Sequence, residues 1–231
     1  MKAKPRIGIY GLSSCAGDQL VLVNCEDELL TILEAVDLRS FVMAHSNNPE
    51  GELDVAFVEG AVTQESDLAT LKDVRSRAQI LIALGTCAVW GGIPYLSGLG
   101  TPLSDHVQVD YAITGCPIEK TQLLKALSSL LRGDLPLSLP HPVCLECTIR
   151  ENDCLLQSGE ICCGPLTAGG CNARCPSHNR ACLGCRGASH DPNYESARRI
   201  LEEHGYSVAE VRQRLALFSG KASVKEGTQV G

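Results

Sequence analysis

The sequence predicts an α/β protein in which an open, mostly parallel sheet is followed by a small irregular domain rich in cysteine. Three observations predict it. Short apolar runs recur through the N-terminal half, amphipathic stretches of helical period lie between them, and nine of the thirteen cysteines crowd into residues 144–187, where neither period is visible.

Arg6 to Tyr10 (RIGIY), closed by Gly11, reads as a buried strand, and Asp54 to Val58 (DVAFV) and Ile80 to Leu84 (ILIAL) share its character. Asp27 to Val36 and Gln64 to Ala78 place apolar residues at helical spacing, with Ser66 or Asp67 available near the start of the second. The alternation continues through a strand at Tyr111 to Thr114 and a helix at Ile118 to Leu131. Residues 1–133 are therefore expected to form one domain, with a parallel sheet covered by helices. Around GDLPLSLPHP, at 133–142, proline and leucine mark a linker, and residues 134–231 form the second domain. Its last part, about Tyr194 to Phe218, reads as an amphipathic helix pair, and the tail after Gly220 is expected to fray.

Composition narrows the function. A formal charge of −7 and a pI near 5.4 argue against an electrostatic footprint for nucleic acid or an anionic membrane surface. No stretch approaches the roughly 18 consecutive apolar residues of a membrane-spanning helix, and Met1 to Pro5 lead straight into a strand-like run. The expectation is a cytoplasmic chain with no nucleic acid partner and no membrane insertion. Gly11, Gly17, Gly60, Gly85, Gly91 and Gly92 form neither GxxxxGK[ST] nor GxGxxG after the first strand, so a nucleotide site is disfavoured.

The cysteines need a chemical explanation. Their number is odd, no secretory leader is visible, and the N-terminal half needs no staples, so metal binding accounts for them better than disulfides. Ligands at a parallel sheet sit at the carboxyl ends of its strands. Cys15, Cys87 and Cys116 each follow a predicted strand, so sequence distance conceals their expected proximity. The second domain supplies Cys144-x2-Cys147, Cys154, Cys162, Cys171-x3-Cys175 and Cys182-x2-Cys185, with Cys163 left over: eight ligands in two groups of four. CxxC pairs also build zinc sites. The step Cys175-Pro176 is the kind that closes ferredoxin cluster motifs, and it favours iron–sulfur. Bound clusters should then supply much of this region's stability, because it has little apolar surface to bury.

The string from Cys162-Cys163-Gly-Pro-Leu-Thr-Ala-Gly-Gly-Cys171 to Cys175-Pro176, followed by Cys182-Leu-Gly-Cys185-Arg-Gly, resembles the C-terminal signature of small subunits of cytoplasmic [NiFe] hydrogenases. That group includes the methyl-viologen-reducing, F420-reducing and sulfhydrogenase types. Cys15, Val58-Glu59-Gly60, Gly85-Thr86-Cys87 and Gly115-Cys116-Pro117 extend the similarity into the first half, so that it spans about residues 5–190. The resemblance implies a flavodoxin-like first domain and three [4Fe–4S] clusters. Cys15, Asp18, Cys87 and Cys116 would hold the proximal cluster, Cys171, Cys175, Cys182 and Cys185 the medial, and Cys144, Cys147, Cys154 and Cys162 the distal.

Asp18 departs from most of the family, which has a second cysteine there; an F420-reducing relative is similar in using aspartate as a ligand. A helix N-cap is the alternative role for Asp18. His141-x2-Cys144 matches a His-x2-Cys opening in membrane-linked relatives, and Cys163 could replace Cys162, so both stay open. Cys25 reads as a buried small apolar residue. Glu59 stands where the family often places a glutamate near the proximal cluster and the subunit interface, with a proton-path role or a simple strand-end carboxylate as its two readings. The Ni–Fe centre would lie on a partner large subunit. The chain would pass electrons from it to a flavin- or iron–sulfur-bearing module, binding the large subunit by the face around Cys15 and Glu59. The same superfamily contains the 20-kDa quinone-reductase subunit of respiratory complex I, which is marked by a vicinal cysteine pair after the first strand and a single cluster. Here that place reads Ser13-Ser14-Cys15.

Overall fold

The computed structural model describes residues 4–219 except 45, 47, 50, 137–140, 190, 191 and 193. The chain divides into two compact units, Met1–Leu137 and Ser138–Gly231.

The first unit alternates strands and helices: β1 (Arg6–Gly11), α1 (Gly17–Val23), α2 (Glu26–Ala35), β2 (Asp37–Phe41), β3 (Leu53–Glu59), α3 (Glu65–Arg77), β4 (Ala78–Leu84), α4 (Gly85–Trp90), α5 (Gly92–Leu96), β5 (Tyr111–Ile113) and α6 (Lys120–Arg132). The five strands form one sheet in the order β2-β1-β3-β4-β5, and every pairing is parallel. This is the doubly wound, flavodoxin-like order, with its switch point between β1 and β3. Alternate residues of the central strands feed two cores. Val55, Phe57, Ile82 and Leu84 pack on one face with Leu22 of α1 and Leu123, Ala126 and Leu127 of α6. Ala56, Val58, Leu81 and Ala83 pack on the other with Leu71 and Val74 of α3. Burying each large side chain contributes on the order of 2 kcal/mol.

Four elements of this unit were not expected from the sequence: α4, α5 and the two that follow. Asp37–Phe41 is a fifth strand, β2, whose residues Asp-Leu-Arg-Ser lack an apolar run because it is the sheet edge and half of it is solvated. A short helix, α1, precedes the predicted one; it is only seven residues long, too short for a visible period. Cys25, fully buried, donates its thiol hydrogen to the carbonyl of Val21 and belongs to the core.

The second unit contains α7 (Val143–Ile149), a 3-10 turn at Pro176–His178, α8 (Tyr194–Glu203) and α9 (Val208–Ser219), joined by loops. Ala197, Leu201 and Leu215 of α8 and α9 pack with Val143, Leu156, Cys162, Cys163, Leu166 and Cys182. The helix pair thus supplies apolar surface that the loops lack. The predicted linker lies partly, and the predicted fraying tail entirely, outside the described residues.

Candidate functional site

Sheet register builds the first site. Gly11 pairs with Glu59, Glu59 with Leu84, and Leu84 with Ile113, so the carboxyl ends of four strands lie in one row. Cys15, Cys87 and Cys116 follow within four residues of that row and reach the same edge of the sheet. Thr86 ties two of these loops together: its N–H and its hydroxyl both donate to the carbonyl of Gly115, at 2.9 and 2.8 Å. The Cys116–Pro117 peptide is cis.

Glu59 is 1% exposed. Its carboxylate accepts the N–H groups of Asp18 at 3.2 Å and Gln19 at 3.1 Å, satisfying two orphan donors in the first turn of α1. The N-cap residue is Ala16, in the left-handed region at φ 61°, and no side chain of its own caps the helix. Asp18 is therefore not the N-cap; a carboxylate from the neighbouring strand does that work. Nor does Glu59 face the surface, so it lies behind the expected partner face rather than on it.

Asp18, 7% exposed, accepts the Ile118 N–H on Oδ1 at 2.8 Å. Its Oδ2 lies over Gly85, where a Cβ would come within 1.7 Å; with φ at +82° as well, that position requires glycine. Burial raises the Asp18 pKa to about 7, against the lowering effect of the Ile118 amide and with help from the Glu59 charge. Burial likewise pushes the Cys87 thiol up to about 11 and the Cys116 thiol to about 11; Asp18, Cys15 and Glu59 act on both in the same direction. The Cys87 and Cys116 thiols and the Asp18 carboxyl thus share one partly desolvated edge, with Cys15 beside them, where their ionisation is disfavoured unless a cation is bound.

In the second unit, α7 carries Cys144 and Cys147 one turn apart. Burial drives the Cys144 thiol up to about 12, and Cys162, Cys147 and Cys154 add to the rise, which places all four in one neighbourhood. The Cys162 sulfur accepts the Cys182 N–H at 3.3 Å. Cys163 is fully buried in the apolar cluster that also includes Cys162; its thiol is raised to about 12, chiefly by burial, with Cys162 as the cysteine acting on it. His141 is engaged through Nε2 with Glu146 Oε1 at 3.1 Å.

Cys182 is buried, with its pKa raised by desolvation and by the charges of Cys162 and Cys185. Cys171 lies beside Glu146 and Arg186, and Cys175 opens the 3-10 turn. Among the described residues no three His, Cys, Asp or Glu lie close enough to hold a single metal ion; the thiolates of a cubane sit on different irons and stand further apart.

Residues 15–130 match the family described as NADH ubiquinone oxidoreductase, 20 Kd subunit. Sulfhydrogenase 2 subunit delta of Pyrococcus furiosus is 39% identical over 219 residues, covering 86% of this chain and 92% of the relative. The chain belongs to this family, as a [NiFe] hydrogenase small subunit. A chain of an NAD+-reducing [NiFe]-hydrogenase superposes with a TM-score of 0.55 at 25% identity, over 58% of this small subunit and 95% of the other. A chain of the [NiFeSe] hydrogenase from Desulfovibrio vulgaris Hildenborough shares the fold over 84% of this chain and 96% of its own, with a TM-score of 0.63 at 18% identity. Among the described residues no helix is long and apolar enough to cross a membrane.

The donor sets of this small subunit fit iron–sulfur clusters on two grounds. Soft thiolates predominate in each, and glycines leave room at the sulfurs. A Cβ on Gly92 would come within 2.8 Å of the Cys87 sulfur, and one on Gly164 within 3.2 and 3.4 Å of the Cys144 and Cys162 sulfurs. Two further residues escaped the sequence reading. Thr86 was visible only as part of a motif. Glu146 lay between two cysteines and had no signal of its own; its partners are loop amides 24 and 27 residues away.

Proposed function

We propose that this small subunit conducts electrons through three [4Fe–4S] clusters between a partner Ni–Fe large subunit and a flavin-, ferredoxin- or disulfide-linked acceptor module, in the cytoplasm. The carrying observation is the convergence of Cys15, Cys87 and Cys116 with Asp18 at one sheet edge. Asp18, Cys15, Cys87 and Cys116 would hold the proximal cluster. The grouping of Cys144 with Cys147, Cys154 and Cys162 supports these four as distal ligands, ahead of Cys163 and His141. Cys171, Cys175, Cys182 and Cys185 would form the medial set, and the domain limits proposed, 1–133 and 134–231, lie four residues before the division at Leu137 and Ser138. When bound, the clusters would supply one-electron chemistry; the chain sets their burial and amide donors, which tune potential.

Exposed Cys15 and Cys116 mark the surface that receives the large subunit. Exposed Ile93 and Leu96 of α5 offer apolar contact beside Cys87. Both oxygens of Glu59 are occupied by α1 amides, which favours an anchoring role for it over proton carriage.

A second reading, a quinone-reductase subunit with one cluster, draws on the family match, which ends at residue 130. It leaves the nine cysteines of 144–187 without a task. Purification of the assembly from its native host separates the two: a nickel-bearing partner should accompany the chain, and its absence from an intact complex would overturn the hydrogenase role.

A further inference from the structure

Glu146 projects from α7 between Cys144 and Cys147, yet its bonds run to a different cysteine loop. One oxygen accepts the N–H of Gly170, and the other accepts that of Ala173 at 3.1 Å. These amides flank Cys171. The turn that presents them is built from Gly170 at φ 111°, Asn172 at 59° and Ala173 at 49°, a run of left-handed or positive-φ residues that turns successive N–H groups towards one acceptor. Glu146 Oε2 also lies 3.9 Å from the Cys171 sulfur. His141 completes the surroundings through Oε1 at 3.1 Å, and its own carbonyl accepts the Gly169 N–H at 2.9 Å, so residues 141, 146 and 169–173 form one clasp.

We propose that Glu146 is a positioning residue that fastens the Cys171 loop to α7 and holds down the reduction potential of the cluster bound through Cys171. Two physical effects support this. A carboxylate spanning two amides fixes a loop whose backbone is otherwise unfavourable for non-glycine residues. A negative charge beside a ligand sulfur, in a half-buried site, stabilises the oxidised form of a cluster over the more negative reduced form. The inference rests on the reading of Cys171 as a cluster ligand.

The test uses the full chain in its hydrogenase assembly, comparing wild type with Glu146→Gln and Glu146→Ala by iron and sulfide analysis and by EPR-monitored redox titration. Glu146→Gln keeps the shape and one acceptor but loses the charge: iron is retained and a single cluster shifts to higher potential while the others stay put. Glu146→Ala removes the clasp, and iron falls by roughly one third, one cluster in three. Glu146→Gln titrating like wild type, or Glu146→Ala keeping full iron with unshifted potentials, overturns the proposal. Wild type lacking a cluster that depends on Cys171 would sink the reading beneath it as well, and Cys171→Ala with unchanged iron identifies that case.

Discussion

Glu59 and Asp18 stand 41 positions apart in sequence, and a Glu59 carboxylate oxygen receives the Asp18 N–H at 3.2 Å at the first turn of α1. The bond exists because register sets Glu59 level with Gly11, the last residue of β1. A strand-end carboxylate thereby fixes the helix that carries Asp18, and the Glu59 charge adds to the cost of ionising Asp18.

Glu59→Ala leaves the amides of Asp18 and Gln19 buried without an acceptor. The loss should be on the order of 3 kcal/mol, read as a lower urea midpoint of the metal-free chain. Glu59→Gln, which retains one acceptor oxygen, should fall between the two. A midpoint unchanged in Glu59→Ala would show that α1 is held by other means.

Asp18 gives the metal-free chain a pH signature. Its pKa in the fold is about 7 against an ordinary 3.8, raised first by burial. The folded state therefore prefers the protonated carboxyl, and this contribution is fully present below pH about 4 and is lost as pH rises through about 7. A gap of that size corresponds to on the order of 4 kcal/mol. Asp18→Asn should track wild type in acid and become progressively the more stable of the two towards pH 8, by urea denaturation at each pH. Parallel curves would contradict it.

Cys162 and Cys163 are neighbours with opposite expected phenotypes. Cys162→Ala should lower iron content by roughly one third, one cluster of three. Cys163→Ala should keep full iron and cost about 1 kcal/mol of packing, since Cys163 is fully buried and is not among the cysteines that act on Cys144. Iron loss from Cys163→Ala alone would reverse the two assignments.

The parallel sheet was legible because its central strands are apolar on both faces: Val55, Phe57, Ile82 and Leu84 on one side, Ala56, Val58, Leu81 and Ala83 on the other. The edge strand β2 was not, because Asp37 and Arg39 interrupt its apolar pattern and pair with each other. Placing Cys15, Cys87 and Cys116 together needed only the rule that such sheets bind at their carboxyl ends. Cys163 could not be told from Cys162 by spacing, since what separates them is that Cys162 lies with Cys144, Cys147 and Cys154 once the loop is folded. Glu146 was illegible for the same reason, because its amide partners come together only when the loop at 170–173 folds back onto α7.

Metal analysis of the anaerobically purified chain tests the central claim most directly. Three [4Fe–4S] clusters require roughly twelve iron and twelve acid-labile sulfide per chain, at four of each per cluster. Zinc without sulfide, or roughly four iron in an intact preparation, would contradict an electron conductor with three clusters.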